Sequence, residues 1–245
     1  LRRLSLALLP GLLCDAALWQ HQLADLADLA EMQVADLTHD DSIAGMAARV
    51  LAGMPPRFAV AAMSMGGHVA LALQRAAPER ILGLALLGAS ARPETAEDAA
   101  RRLALADLRT RGHWRGVTRP MLASLVHPDA LADPAIGAAI RAMAERVGAA
   151  AFRRQERALA GRPDARPGLA AIACPTLVIA GAEDRRVPPP LQAEIAVAVP
   201  GAELLTVPRC GHVAPLERPA EVSAALRRWL GSCAVAEQDD KRNGG

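Results

Sequence analysis

Ser64, Asp184 and His212 are residues of the right types, in a workable chain order, for acyl-transfer chemistry in a chain of 245 residues. A serine hydroxyl is a poor nucleophile until a base takes its proton, and the base needs a third group to orient it. Ser64 lies in Ala62-Met63-Ser64-Met65-Gly66-Gly67, between the apolar run Phe58–Met63 and a helical pattern over Met65–Ala77. A serine on a strand-turn-helix elbow is exposed for attack, and the strained turn demands small neighbours. Asp184 follows the run Thr176–Ala180 in Gly181-Ala182-Glu183-Asp184, where Glu183 is a local rival for the acid. His212 follows Glu203–Val207 in Pro208-Arg209-Cys210-Gly211-His212. Singly, each reads as an ordinary loop residue. Together, each just past a strand-like run, they read as nucleophile, acid and base, because open α/β sheets gather ligand-binding groups at the carboxyl ends of strands.

Such chemistry also needs donors for the negative oxygen of a tetrahedral intermediate, each worth about 3–4 kcal/mol. The backbone N–H of Met65, directly after the nucleophile, is one candidate. The other is Leu12 N–H in Pro10-Gly11-Leu12-Leu13, where Gly11 lets the backbone approach. This assignment requires Leu4–Leu9 to be a strand. Arg2-Arg3 with the apolar residues after it also resembles a short secretory signal, but the run is too short to span a membrane. A cytoplasmic location is the expectation.

The elements that position these residues alternate. Apolar runs at Leu4–Leu9, Met32–Ala35, Phe58–Met63, Ile81–Leu87, Thr176–Ala180 and Glu203–Val207 suit strands buried on both faces of a parallel sheet. Helical patterns stand at Ala16–Leu29, Ile43–Gly53, Met65–Ala77, Pro190–Ala198 and Pro219–Leu230. The alternation predicts a doubly wound α/β fold of about six strands with right-handed crossovers. It breaks between Arg92 and Gly168, where helices are expected near Glu94–Arg111, Gly116–Leu125, Pro134–Val147 and Ala149–Ala160. The expected division is a core of residues 1–91 and 169–233, a helical cap of 92–168, and a disordered tail of 234–245.

Composition sets the bounds. Hydrophobic residues make up 52%, with two Phe, three Trp and no Tyr, so the core must be aliphatic. A net charge of +2 is too balanced for a nucleic-acid binder. Cys14, Cys174, Cys210 and Cys233 are too widely spaced for a metal knuckle or a small disulfide framework, and read as thiols. His21, His39, His68, His113 and His127 show no metal-ligand spacing; His39-Asp40-Asp41 reads as a polar turn, and His68 as a packing residue. Trp114 could line a pocket, whereas Trp19 and Trp229 suit helix packing. The arginines Arg101, Arg102, Arg109, Arg111, Arg115, Arg119, Arg153, Arg154 and Arg157 are expected on solvated helix faces, paired with Glu97, Asp98, Asp107 and Glu156. A cationic cap would otherwise attract acidic substrates or an acyl carrier protein.

These motifs resemble the α/β-hydrolase fold superfamily, in its serine esterase, lactonase and carrier-ester carboxylesterase branches with a helical cap. The resemblance rests on Leu8-Leu9-Pro10-Gly11 with Trp19, on Ser64-Met65-Gly66-Gly67, on Pro175-Thr176-Leu177-Val178 leading to Gly181-x-x-Asp184-x-x-Val187-Pro188, and on Gly211-His212 with Leu216-Glu217-Arg218-Pro219. It implies an eight-stranded sheet of which this chain begins at the third strand, without the antiparallel hairpin. It also implies that residues 92–168 are the cap that shapes the pocket. Pro10 stands where many relatives have His, and Ala62 replaces the first elbow glycine.

The resulting expectation is a serine carboxylesterase using Ser64, His212 and Asp184, with Leu12 and Met65 N–H groups as oxyanion donors. It needs no cofactor or metal, and its partner is a small-molecule ester. A carrier-bound thioester or methyl ester, an enol-lactone, carbon–carbon cleavage and cofactor-free peroxidation fit the same scaffold. The reading from a different class is a ligand-binding protein with little or no turnover. The serine argues against the dehalogenase and epoxide hydrolase branches, which use Asp at the elbow.

Overall fold

The computed structural model describes residues 3–111 and 114–243. Six strands, β1 (Leu4–Leu9), β2 (Ala30–Val34), β3 (Phe58–Met63), β4 (Ile81–Leu87), β5 (Thr176–Gly181) and β6 (Glu203–Val207), form one sheet in the order β2-β1-β3-β4-β5-β6. All five pairings are parallel. Strand order reverses at β1, so its carboxyl end lies beside that of β3 at the sheet's switch point.

The helices are α1 (Gln20–Asp25), α2 (Ile43–Gly53), α3 (Met65–Ala76), α4 (Ala96–Thr110), α5 (Arg119–Leu125), α6 (Pro128–Ala132), α7 (Pro134–Ala160), α8 (Pro189–Ala198), α9 (Ala214–Glu217) and α10 (Pro219–Asn243). Strand side chains alternate between two cores, as the pleat requires. Leu4, Leu6 and Leu8 of β1 and Ala59, Ala61 and Met63 of β3 pack with Val222, Leu226 and Trp229 of α10. Ala7, Leu9, Phe58, Val60 and Ala62 face the opposite way, against Met46 of α2 and Val69 and Leu73 of α3. Both cores are almost wholly aliphatic. Each fully buried Leu or Val contributes about 1.5–3 kcal/mol relative to exposure.

Between β4 and β5 the chain forms α4 to α7. Gly148 (φ 74°) breaks the helical geometry inside α7, as its residue type allows. Three details differ from expectation. The stretch after Asp15 is a short 3-10 turn followed by α1, which ends at Asp25 rather than Leu29. Two further elements, α6 and a 3-10 helix over Arg166–Ala171, carry proline at their starts, where it suits a helix N-terminus. Finally, α10 continues to Asn243 instead of ending near Leu230 ahead of a disordered tail. That stretch holds the good helix formers Ala234, Ala236, Glu237, Gln238, Lys241 and Arg242, with no proline to stop the helix. Among the described residues, no helix is long and apolar enough to cross a membrane.

Candidate active site

The turn from β3 to α3 holds Ser64 at φ 54°, ψ −111°, a region costly for a residue with a Cβ. Its N–H extends the sheet ladder by donating to Leu87 O (2.8 Å), and its carbonyl accepts from Gly67 N–H (2.9 Å). Close packing on both sides fixes this geometry. A Cβ on Gly66 would stand 2.5 Å from Leu9 O, and one on Gly67 would stand 2.5 Å from the Ala89 Cβ. Ala62, where the pattern usually has glycine, is fully buried and pairs with Leu9 and Leu86, so the methyl fits within the sheet.

Three loops meet at this turn. His212 Nε2 lies 2.9 Å from Ser64 Oγ, and His212 Nδ1 lies 2.8 Å from Asp184 Oδ2. The tautomer protonated on Nδ1 donates to the carboxylate and leaves Nε2 to accept from the serine hydroxyl. Asp184 is 3% exposed and fully satisfied. Its Oδ1 accepts from the N–H groups of Arg186 and Val187 (2.8 and 2.9 Å), and its Oδ2 also accepts from Gln192 Nε2 (3.2 Å). Hydrogen bonds of this kind make burial of a carboxylate tolerable. Glu183, the rival acid, points elsewhere and accepts from Cys210 N–H (2.9 Å).

Leu12 and Met65 line the same cavity as Ser64 and His212, whose volume is about 270 Å³. Among the described residues, neither backbone N–H has a hydrogen-bond partner. Leu13, next in the loop, sits at φ 60°, and its N–H donates to Gln155 Oε1 of α7 (3.1 Å). Gln155 is fully buried and its Nε2 donates to Leu37 O (3.2 Å).

The sequence reading assigned no role to Gln155, Gln192 or Glu217. Glu217 is 4% exposed and accepts from His127, Gly211 and Val213 N–H groups at 2.7, 2.9 and 2.8 Å, clamping the loop that carries His212. His212 N–H itself donates to Leu125 O at the end of α5 (2.7 Å). Glu217 stands in the quoted Leu216-Glu217-Arg218-Pro219 run, which was a usable signal. Nothing local marks a glutamine in a long helix as a partner of residue 13.

Of the other singled-out residues, several lie apart. Trp114 stacks on Phe152 (centroids 5.2 Å) and borders a separate surface hollow. His39 pairs with Asp36 and Asp40 with Arg49. His127 caps α6, and His113 lies outside the described residues. The four cysteines are free thiols; burial raises the Cys14 thiol to about 12, so it stays protonated beside the cavity. His68, one turn into α3, lines the cavity, and burial with the charges of Arg162 and Arg102 lowers its pKa to about 3. Among the described residues, no group of three His, Cys, Asp or Glu is placed to hold a metal.

Comparison with known proteins gives this geometry a context. An esterase from Thermogutta terrifontis, solved with malate bound, superposes with a TM-score of 0.85 at 27% identity, covering 94% of this chain and 90% of that one. The enol-lactonase of Burkholderia xenovorans LB400 superposes equally well (TM-score 0.85), covering 94% of this chain and 92% of that one, and at 23% identity speaks for the fold alone. A pimeloyl-acyl-carrier-protein methyl ester esterase of Stenotrophomonas maltophilia is 36% identical over 74 residues, 30% of this chain and 29% of that protein. The curated relatives are thus matched over only 25% to 29% of their own lengths. The model of the alpha/beta hydrolase family matches residues 8–225. Since that match runs from the first strand into the last helix, this protein belongs to the alpha/beta hydrolase family.

Proposed function

We propose that the protein is a serine hydrolase that cleaves carboxylic esters through an acyl-enzyme. The observation that carries this reading is His212, bridging Ser64 Oγ at 2.9 Å and Asp184 Oδ2 at 2.8 Å. Ser64 Oγ attacks the ester carbonyl as its proton passes to His212 Nε2. Asp184 stabilises the resulting imidazolium and holds the ring's orientation. The N–H groups of Leu12 and Met65 hold the oxyanion, the latter strengthened by its place at the N-terminus of α3. Collapse of the intermediate breaks the bond to the alcohol oxygen, which leaves with the proton from His212. Water, deprotonated by His212, then attacks the acyl-enzyme, and the second collapse returns the proton to Ser64. None of these steps draws on a cofactor. In this reading α4 to α7 form the cap over the site, and their inner face selects the substrate.

The similarity to an esterase over nearly the whole chain supports ester chemistry, while the short match to a carrier-linked methyl ester esterase keeps a carrier-bound substrate as a second reading. Hydrolysis of p-nitrophenyl esters from acetate to palmitate, by wild type and by Ser64→Ala, tests the proposal. Replacing a serine nucleophile is expected to lower kcat by at least about 10⁴-fold. Full turnover by Ser64→Ala would overturn the mechanism. A folded wild-type protein inert to the whole series would favour the carrier-bound substrate or the ligand-binding reading.

A further inference from the structure

The wall of the catalytic cavity carries four arginines, Arg92, Arg102, Arg162 and Arg186, and no aspartate or glutamate. Two of them are well enclosed, with side chains 21% exposed for Arg102 and 14% for Arg162. A buried guanidinium is costly unless paired, and both are paired. Arg102 Nε donates to Glu94 (2.7 Å) and its Nη1 to Glu156 (2.6 Å), while Arg162 Nη1 also donates to Glu94. Glu94 and Glu156, however, border an adjoining hollow rather than the catalytic cavity. The cavity that holds Ser64 is thus lined by guanidiniums and by no carboxylate, while Glu94 and Glu156 line the neighbouring hollow that Arg102 and Arg186 also border. Among the described residues, Arg162 Nη2 has no hydrogen-bond partner, nor has the Arg186 guanidinium or the His68 ring beside Arg102 and Arg162.

We propose that this arginine-lined face binds a free carboxylate on the substrate, so that the preferred substrate is an ester or lactone bearing a second, ionised carboxyl group. The inference rests on the ester-hydrolase reading of the cavity. The charge balance favours a monoanion over a phosphate dianion. Glu94, Glu156 and, through Arg92, Glu194 stand against four arginines, leaving a single positive charge uncompensated. Low-dielectric walls focus that charge into the cavity, and Arg186, exposed at the rim, is free to close on the anion. Most other arginines of α4 and α7 do not share this role. Arg101 pairs with Asp98, Arg153 with Asp107 and Arg157 with Asp41, all at the surface.

The test compares monomethyl succinate, glutarate and adipate with the methyl esters of monocarboxylic acids of equal length, and acyl glycolates with the corresponding acyl ethanols. At low salt, kcat/KM for a carboxylate-bearing ester should exceed that of its neutral partner by about ten-fold or more, the size of one charge-assisted contact. Preference among the monomethyl esters places the carboxylate on the acyl side; preference among the glycolates places it on the alcohol side. The ratio should collapse in Arg186→Gln, whose guanidinium makes no hydrogen bond or ion pair among the described residues, and in Arg162→Gln. It should also shrink as salt screens the exposed charge. Equal rates for charged and neutral esters, or a ratio unchanged in both variants, would overturn the proposal. If no ester turns over, the hydrolase reading fails instead. The carboxylate site is then read by calorimetric binding of monomethyl glutarate to Ser64→Ala, which must be lost in the Ser64→Ala, Arg186→Gln double variant and otherwise counts against it.

Discussion

The sheet wall of the cavity and the α4–α7 wall hold their side chains by different means. On the sheet side, Ser64 is fixed by backbone: a ladder hydrogen bond to Leu87 and glycines too close to Leu9 and Ala89 for any side chain. On the other side, contacts are made by long side chains, such as Arg102 to Glu94 and Glu156, and Arg109 over the Phe152 ring. The first kind has almost no freedom to adjust. The second can change residue by residue while the Ser64 turn stays put. The separation is incomplete, because α5 and α7 also hold two loops of the site: Leu125 O accepts from His212 N–H, and Gln155 holds Leu13 N–H.

That comparison can be broken most forcefully on the sheet side. Asp184→Asn would favour the wrong tautomer of His212 and should lower kcat by about 10⁴-fold with the fold intact. Stopped-flow acylation that stayed within ten-fold of wild type would show that the carboxylate is not what orients the ring.

Gln155→Leu tests whether α7 reaches the chemistry proposed at Ser64. Released from Gln155, the strained Leu13 should relax and carry Leu12 N–H out of place. Misplacement of about 1 Å costs on the order of 100-fold, here expected in kcat with KM little changed. Gln155→Glu, which keeps the acceptor, should recover part of the loss. If KM rose instead while kcat held, Gln155 would belong with the substrate wall.

Glu217→Ala should act on stability before activity. Three N–H groups, two of them buried, lose their acceptor, each buried one costing about 1–3 kcal/mol, and urea unfolding measures the sum. A midpoint equal to wild type would mean that the His212 loop is held by the sheet alone.

The smallest effect concerns His68 of α3, beside Arg102 and Arg162. Its folded pKa, about 3 against an ordinary 6.5, lies below the unfolded value, so the unfolded chain binds the extra proton first. Its contribution is complete above about pH 6.5 and is lost as pH falls from there toward 3. Between pH 7.5 and 5.5, wild type should lose more stability than His68→Gln. Parallel profiles would place the acid sensitivity elsewhere.

Much of this molecule was legible in one dimension. Four strands, β1, β3, β4 and β6, have the ends that their apolar runs suggest. Burial on both faces holds for the inner strands such as β3 and β4, whereas β2 and β6, expected to be buried likewise, are the sheet's edges and carry exposed residues such as Glu31, Glu203 and Thr206. The α7 kink falls at the glycine that separates two helical patterns. Ser64, Asp184 and His212 meet as their positions just past three strands suggest, because parallel topology sends every such end to one edge. What the chain order could not decide was which partners meet across that edge. Gln155 lies 142 positions from Leu13, Glu217 ties a histidine loop to the start of α6, and four scattered arginines line one cavity while Glu94 and Glu156 line its neighbour. Periodicity reports which way a residue faces on its own element. Only the packing of elements against each other fixes what it faces.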